Sequence, residues 1–144
     1  MSNIKLNEKY MSLFSGDTRY YIVTGGRGSG KSFGVTLFLN NLTYENNHKV
    51  LFTRYTMASA HSSIIPEFVD KIDVMGLQDD FRVTRDEIVN QTTGSAIMFK
   101  GIKTASGNQT AALKSLANVS TFVVDEAEEL VDEDVFDKID LSVR

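Results

Sequence analysis

Eight consecutive residues, Gly25-Gly26-Arg27-Gly28-Ser29-Gly30-Lys31-Ser32, carry the most specific chemistry in the sequence. They fit G-x-x-x-x-G-K-[ST], a loop that binds nucleotide phosphates when it joins a strand to a helix. Phosphates bring several negative charges close together, and a loop of small residues lets consecutive backbone N–H groups turn toward them at a helix N-terminus. Glycine permits that approach. Lys31 would reach the β- and γ-phosphates of ATP as a compact charge, and the Ser32 hydroxyl would ligate Mg²⁺. A dinucleotide fingerprint fits less well. It wants an acidic residue about 20 positions on, where Thr43-Tyr44-Glu45 is a weak match.

A phosphate-binding loop of this kind calls for a second site, an apolar strand ending in Asp, and Phe122-Val123-Val124-Asp125 supplies one, with Glu126 next. Asp125 would hold the Mg²⁺ shell, and Glu126 would polarise a water for attack on the γ-phosphate. That pairing favours hydrolysis over phosphoryl transfer. The competing reading is the acidic start of a helix, because Glu128, Glu129, Asp132, Glu133 and Asp134 follow. Those later acids read as a solvated face.

The elements that must position these residues are legible from pattern. Arg19 to Gly25 (RYYIVTG) is short, β-branched and aromatic, and predicts a buried strand. From Ser32 onward Val35, Phe38, Leu39 and Leu42 recur at helical spacing until Glu45-Asn46-Asn47. Lys49 to Arg54 predicts a second strand, and Ala58 to Met75 a helix interrupted or restarted at Pro66 and ended by Gly76. Glu87 to Asn90 and Ser95 to Lys100 predict a hairpin laid onto the main fold. Gly101 to Asn118 reads as a mobile loop with a helical turn at Thr110 to Leu116, Thr121 to Asp125 as a strand, and Asp132 to Leu141 as a last helix. The order predicts an α/β fold with a mainly parallel sheet, flanking helices and a peripheral β-hairpin.

With 144 residues, 42% of them hydrophobic, 24% charged and only 1 Pro, the chain is sized for one folded domain, not a low-complexity segment. Zero Cys excludes a disulfide framework, a thiolate metal site and a Cys nucleophile. No stretch approaches the roughly 18 apolar residues of a membrane span, so no membrane is expected and the protein reads as intracellular. The net charge of −4 is uneven. Residues 1–124 carry 13 Lys and Arg against 10 Asp and Glu, and residues 125–144 carry 2 against 9, so total charge argues neither for nor against nucleic acid.

Taken together, GGRGSGKS, TRYTMASAHSSIIPEF, FKGIKTASGNQTAALKSL and TFVVDEAEEL resemble the large terminase subunits of tailed bacteriophages, ATP-driven DNA-packaging motors. The similarity runs from Arg19 to Arg144. The Asp125-Glu126-Ala127 sequence departs conservatively from the Glu-Glu-Ala of many relatives. The resemblance implies a P-loop NTPase fold of the additional-strand, catalytic-glutamate type. It places Lys31 and Ser32 on phosphate and magnesium, Asp125 on magnesium, Glu126 as catalytic carboxylate and Arg27 as the loop arginine that senses the γ-phosphate. It implies double-stranded DNA, a portal protein and a small terminase subunit as partners, a homo-oligomeric ring, and the host cytoplasm as location. Further ATPase strands and a nuclease domain of the family are absent, so residues 1–144 read as the N-terminal part of a longer ATPase-containing polypeptide.

Other readings stay open at this point. Arg54 either orients groups near the nucleotide, contacts DNA or is a surface charge, and Lys114 is either a cation offered to a neighbouring subunit's phosphate or a solvated lysine. His48 and His61, thirteen apart, lack metal-ligand spacing. Tyr20, Tyr21, Phe33, Phe38 and Phe52 read as core, with stacking of adenine on an aromatic near the loop strand as the alternative, and Arg82 with Arg85 as the best local basic pair for DNA phosphates. Competing functions are a helicase-type translocase (Asp125-Glu126-Ala127-Glu128 is similar to its signature), a small nucleotide kinase and a non-catalytic nucleotide-binding module.

Overall fold

The computed structural model describes residues 4–58, 60–104, 107–108 and 118–143. After a 3-10 helix at Glu8–Phe14 come α1 (Lys31–Leu42), β1 (Lys49–Arg54), α2 (Ala60–Met75), β2 (Phe81–Val83), β3 (Glu87–Asn90) and β4 (Ala96–Gly101). A small ribbon, β5 (Lys103–Thr104) with β6 (Gly107–Asn108), precedes β7 (Thr121–Val124), a 3-10 turn at Ala127–Glu129 and α3 (Glu133–Asp140). The main sheet is five-stranded in the order β2-β3-β4-β1-β7.

Val50, Leu51, Phe52 and Thr53 of β1 are all buried, the mark of a strand covered on both faces. Successive side chains alternate between those faces. Val50 and Phe52 join Leu39 of α1 and Phe68 and Ile72 of α2 in one core. Leu51 joins Val119, Val135 and Ile139 in another, beneath α3. The sheet therefore lies between two helical layers. Phe52, Phe68 and Phe99 centre the larger core, with ring centroids 5.5, 5.6 and 5.2 Å apart, and each such ring contributes about 1.5–3 kcal/mol on burial.

The sheet is mixed, which corrects the expectation of a mainly parallel sheet. β1 pairs in parallel with β4 and β7, while β3 runs antiparallel to both β2 and β4. The hairpin is integral to the sheet: all six residues of β4 are in register with β1, from Lys49↔Ala96 to Arg54↔Gly101. Ile88 and Ile97 are fully buried, and that apolar demand draws the hairpin into the centre.

Arg19 to Gly25 is the larger correction. No ladder forms there among the described residues, and Ile22 and Tyr20 are 90% and 57% exposed. β-branched composition gives the capacity for a strand, but a strand exists only where a partner satisfies its backbone groups. Tyr20 and Tyr21 are accordingly exposed and not core, whereas Phe52 is buried and Phe33 and Phe38 partly so. Pro66 does not interrupt α2, which runs unbroken until Gly76 takes φ +71 and Leu77 N–H bonds back to the Ile72 carbonyl at 3.1 Å. Asp132 caps α3 by accepting from the Asp134 N–H at 3.1 Å. The helical turn expected at Thr110 to Leu116 lies outside the described residues. No helix among the described residues is long and apolar enough to cross a membrane.

Candidate functional site

The loop of residues 25–30 leads directly into α1, whose N-cap is Gly30 at φ +80. Gly28 takes φ +77, and the Ser29 N–H closes a turn on the Gly26 carbonyl at 3.2 Å. Side chains at 28 and 30 would strain this path. At Gly25 a Cβ would meet Ser29 Oγ at 2.8 Å, so the two ends of the loop already touch. Ser29 Oγ is itself buried with no hydrogen-bond partner among the described residues. Lys31 Nζ folds over the loop, donating to the Gly25 carbonyl and, at 3.2 Å, to that of Gly26. Arg27 is exposed at the loop tip, and Ser32 is exposed in the first turn of α1.

Asp125 and Glu126 follow β7, where the Asp125 N–H continues the ladder by donating to the Thr53 carbonyl at 2.8 Å. Thr53 Oγ1, fully buried, donates to the Val123 carbonyl at 2.7 Å and locks the two strand ends together. Glu126 adopts the left-handed conformation, φ +53 and ψ +48. For a residue with a Cβ this costs about 1–2 kcal/mol, and such backbone concentrates at functional sites. The turn swings its carboxylate back toward Arg54.

Arg54 contacts the two carboxylates after β7. Its guanidinium donates twice to Asp125 Oδ2, from Nη2 at 2.6 Å and from Nε at 2.9 Å, and its Nε lies 3.5 Å from Glu126 Oε2. One cation thus gathers both carboxylates. Its side chain is 24% exposed and that of Asp125 37%, leaving room for solvent and for competing cations.

Turns at residues 43–47, including Thr43 N–H to Asn40 and Tyr44 N–H to Asn41, reverse the chain after α1 and send it back along β1. Arg54 and neighbouring Asp125 sit at the carboxyl end of β1. Ligands of α/β sheets bind outside those ends. Arg82 and Arg85 are elsewhere, on and beside β2 at the opposite edge, with Arg82 paired to Glu87 at 3.6 Å. His48 bridges Glu45 and Thr121, at 3.1 and 2.8 Å. Lys114 and the side chain of His61 lie outside the described residues. Among those residues no three His, Cys, Asp or Glu could hold a metal ion by themselves.

Residues 17–144 match the family model of the phage terminase large subunit. The chain belongs to that family. No curated protein matches it. The family match to this terminase chain begins at Asp17, so it takes in the loop, Arg54 and both carboxylates. It leaves out Lys9 and Tyr10, which sequence reasoning also passed over and which bond directly to the loop: both side chains donate to the Ser29 carbonyl. A signal for them existed. Gly34, one turn into a helix where alanine is preferred, implies a close neighbour, and Tyr10, Leu13 and Phe14 have the spacing of a packed turn.

Proposed function

We propose that this terminase chain binds ATP with Mg²⁺ and hydrolyses it, as the ATPase part of a motor that drives double-stranded DNA into a procapsid. The observation that carries the reading is a glycine loop gathered under Lys31 at the start of α1, in a chain whose β7 runs directly into Asp125 and Glu126. The P-loop fold of the additional-strand, catalytic-glutamate type belongs to the same proposal. So do portal and small-subunit partners, a homo-oligomeric ring and the host cytoplasm.

The backbone N–H groups of Gly26 to Lys31 hold the phosphates, and Lys31 exchanges its carbonyl contacts for β- and γ-phosphate oxygens. The hydroxyl of Ser32 and the carboxylate of Asp125 are hard oxygen donors suited to Mg²⁺, which when bound neutralises phosphate charge. Glu126 orients a water and accepts its proton as the water oxygen bonds to the γ-phosphorus and the bond to the leaving ADP oxygen breaks. Arg27, at the exposed tip, offers positive charge to the γ-phosphate.

Phosphate release and nucleotide titration test this together. Lys31→Ala is expected to weaken ATP binding about 10- to 100-fold, the worth of a charged hydrogen bond. Glu126→Gln is expected to keep binding and lose about 10²-fold or more in turnover, because an amide cannot take the proton. Wild-type affinity in the first variant removes the phosphate loop from the mechanism, and wild-type turnover in the second removes Glu126.

A further inference from the structure

The 3-10 helix at Glu8–Phe14 lies against the phosphate loop, and the chemistry above does not use it. Tyr10 Oη donates to the Ser29 carbonyl at 2.9 Å, and Lys9 Nζ donates to the same oxygen at 3.0 Å. Two donors thus converge on one carbonyl inside the loop. The Lys9 ammonium also lies 4.8 Å from the centroid of the Tyr10 ring, which makes the two side chains one unit. Tyr10 is 5% exposed. Its ring rests on the first turn of α1 at Gly34, where a Cβ would stand 2.8 Å from both Cγ and Cδ2 of the ring. Buried Leu13, and Phe14 edge-on to Phe38 at 5.1 Å between centroids, fix the far end of the same helix.

The planarity of the peptide bond gives this contact a consequence. No described peptide is cis, and in a trans peptide the C=O and N–H point in opposite directions. Holding the Ser29 carbonyl toward Tyr10 and Lys9 therefore turns the Gly30 N–H away from them. Gly30 is the N-cap of α1, and N–H groups at a helix start are those that a phosphate accepts from. Gly28 and Gly30 both have positive φ, so without an outside hold the intervening backbone has freedom to rotate.

We propose that Tyr10, assisted by Lys9, is a positioning residue for the phosphate loop, holding the Ser29–Gly30 peptide in the orientation that accepts phosphate. The inference rests on the ATP-binding reading above. It concerns phosphate and not the base, so its effect extends to a ligand without a nucleoside.

Calorimetric titration of the whole chain with Mg²⁺–ATP and with Mg²⁺–tripolyphosphate tests it, beside thermal unfolding without ligand. Tyr10→Phe keeps the ring on Gly34 and removes only the hydroxyl. It is expected to weaken both ligands about threefold, and Lys9→Met with Tyr10→Phe about tenfold. Unfolding midpoints should stay within about 2 °C of wild type. A double variant that binds both ligands like wild type, while Lys31→Ala loses them, overturns the positioning role and leaves the phosphate loop standing. Lys31→Ala binding like wild type overturns the loop reading and this proposal with it. Weakening confined to ATP assigns Tyr10 to the nucleoside and overturns the proposal. So does an affinity loss matched by a fallen unfolding midpoint, which makes Tyr10 an ordinary packing residue.

Discussion

Arg54 places a positive charge where the proposed mechanism needs a divalent cation. Its two bonds to Asp125 Oδ2 and its approach to Glu126 keep two adjacent carboxylates from repelling one another, and the same bonds compete with Mg²⁺ for Asp125. Because the Asp125 side chain is 37% exposed, solvent screens the pair to about 1 kcal/mol at most. Arg54→Ala is therefore expected to lower the Mg²⁺ concentration for half-maximal nucleotide binding by up to about fivefold, the equivalent of that energy. Turnover should fall as Glu126 loses its anchor. Magnesium titrations of nucleotide binding and of phosphate release separate the two effects. An unchanged magnesium midpoint would mean that Arg54 does not compete at Asp125.

Helix α1 shows how one residue type reports the packing of a whole element. Gly→Ala inside a helix ordinarily stabilises by about 0.5–1 kcal/mol. At Gly34 the new Cβ meets the Tyr10 ring at 2.8 Å, so Gly34→Ala is expected to destabilise by about 1–3 kcal/mol, as overpacking does; denaturant unfolding reads the sign. Elements with their own internal evidence were legible in the sequence. β1 falls at Lys49–Arg54 as its apolar run requires, α1 and α2 end near their polar and glycine stops, and α3 begins after an acidic cap. What depended on a partner was not legible. Composition could not reveal that RYYIVTG has no neighbouring strand among the described residues, nor that β4 pairs with β1 along its full length. The site followed the same division. The loop and carboxylates stand out by spacing, whereas the link from Arg54 to Asp125 and that from Tyr10 to Ser29 span |i−j| of 71 and 19 and depend on the fold.

Across the whole molecule, the proposed site draws on segments far apart in sequence: the 3-10 helix, the start of α1, the end of β1 and the turn after β7. Those segments belong to both sides of the sheet, since β1 contributes Phe52 to one core and Leu51 to the other. A ligand held by the loop and by Asp125 therefore binds only the folded chain, and its binding free energy adds to global stability. At 100 times the dissociation constant the gain is about 2.7 kcal/mol. A chain of this size gains about 3 °C per kcal/mol, which predicts a rise of about 8 °C in the unfolding midpoint with saturating Mg²⁺–ATP. Glu126→Gln should show the full rise, since it keeps the binding groups. Lys31→Ala should show little at the same concentration, and removing Mg²⁺ with a chelator should reduce the wild-type rise. Differential scanning calorimetry across these four conditions decides it: no rise for the wild-type chain, or an equal rise for Lys31→Ala, would mean that nucleotide does not bind through the glycine loop.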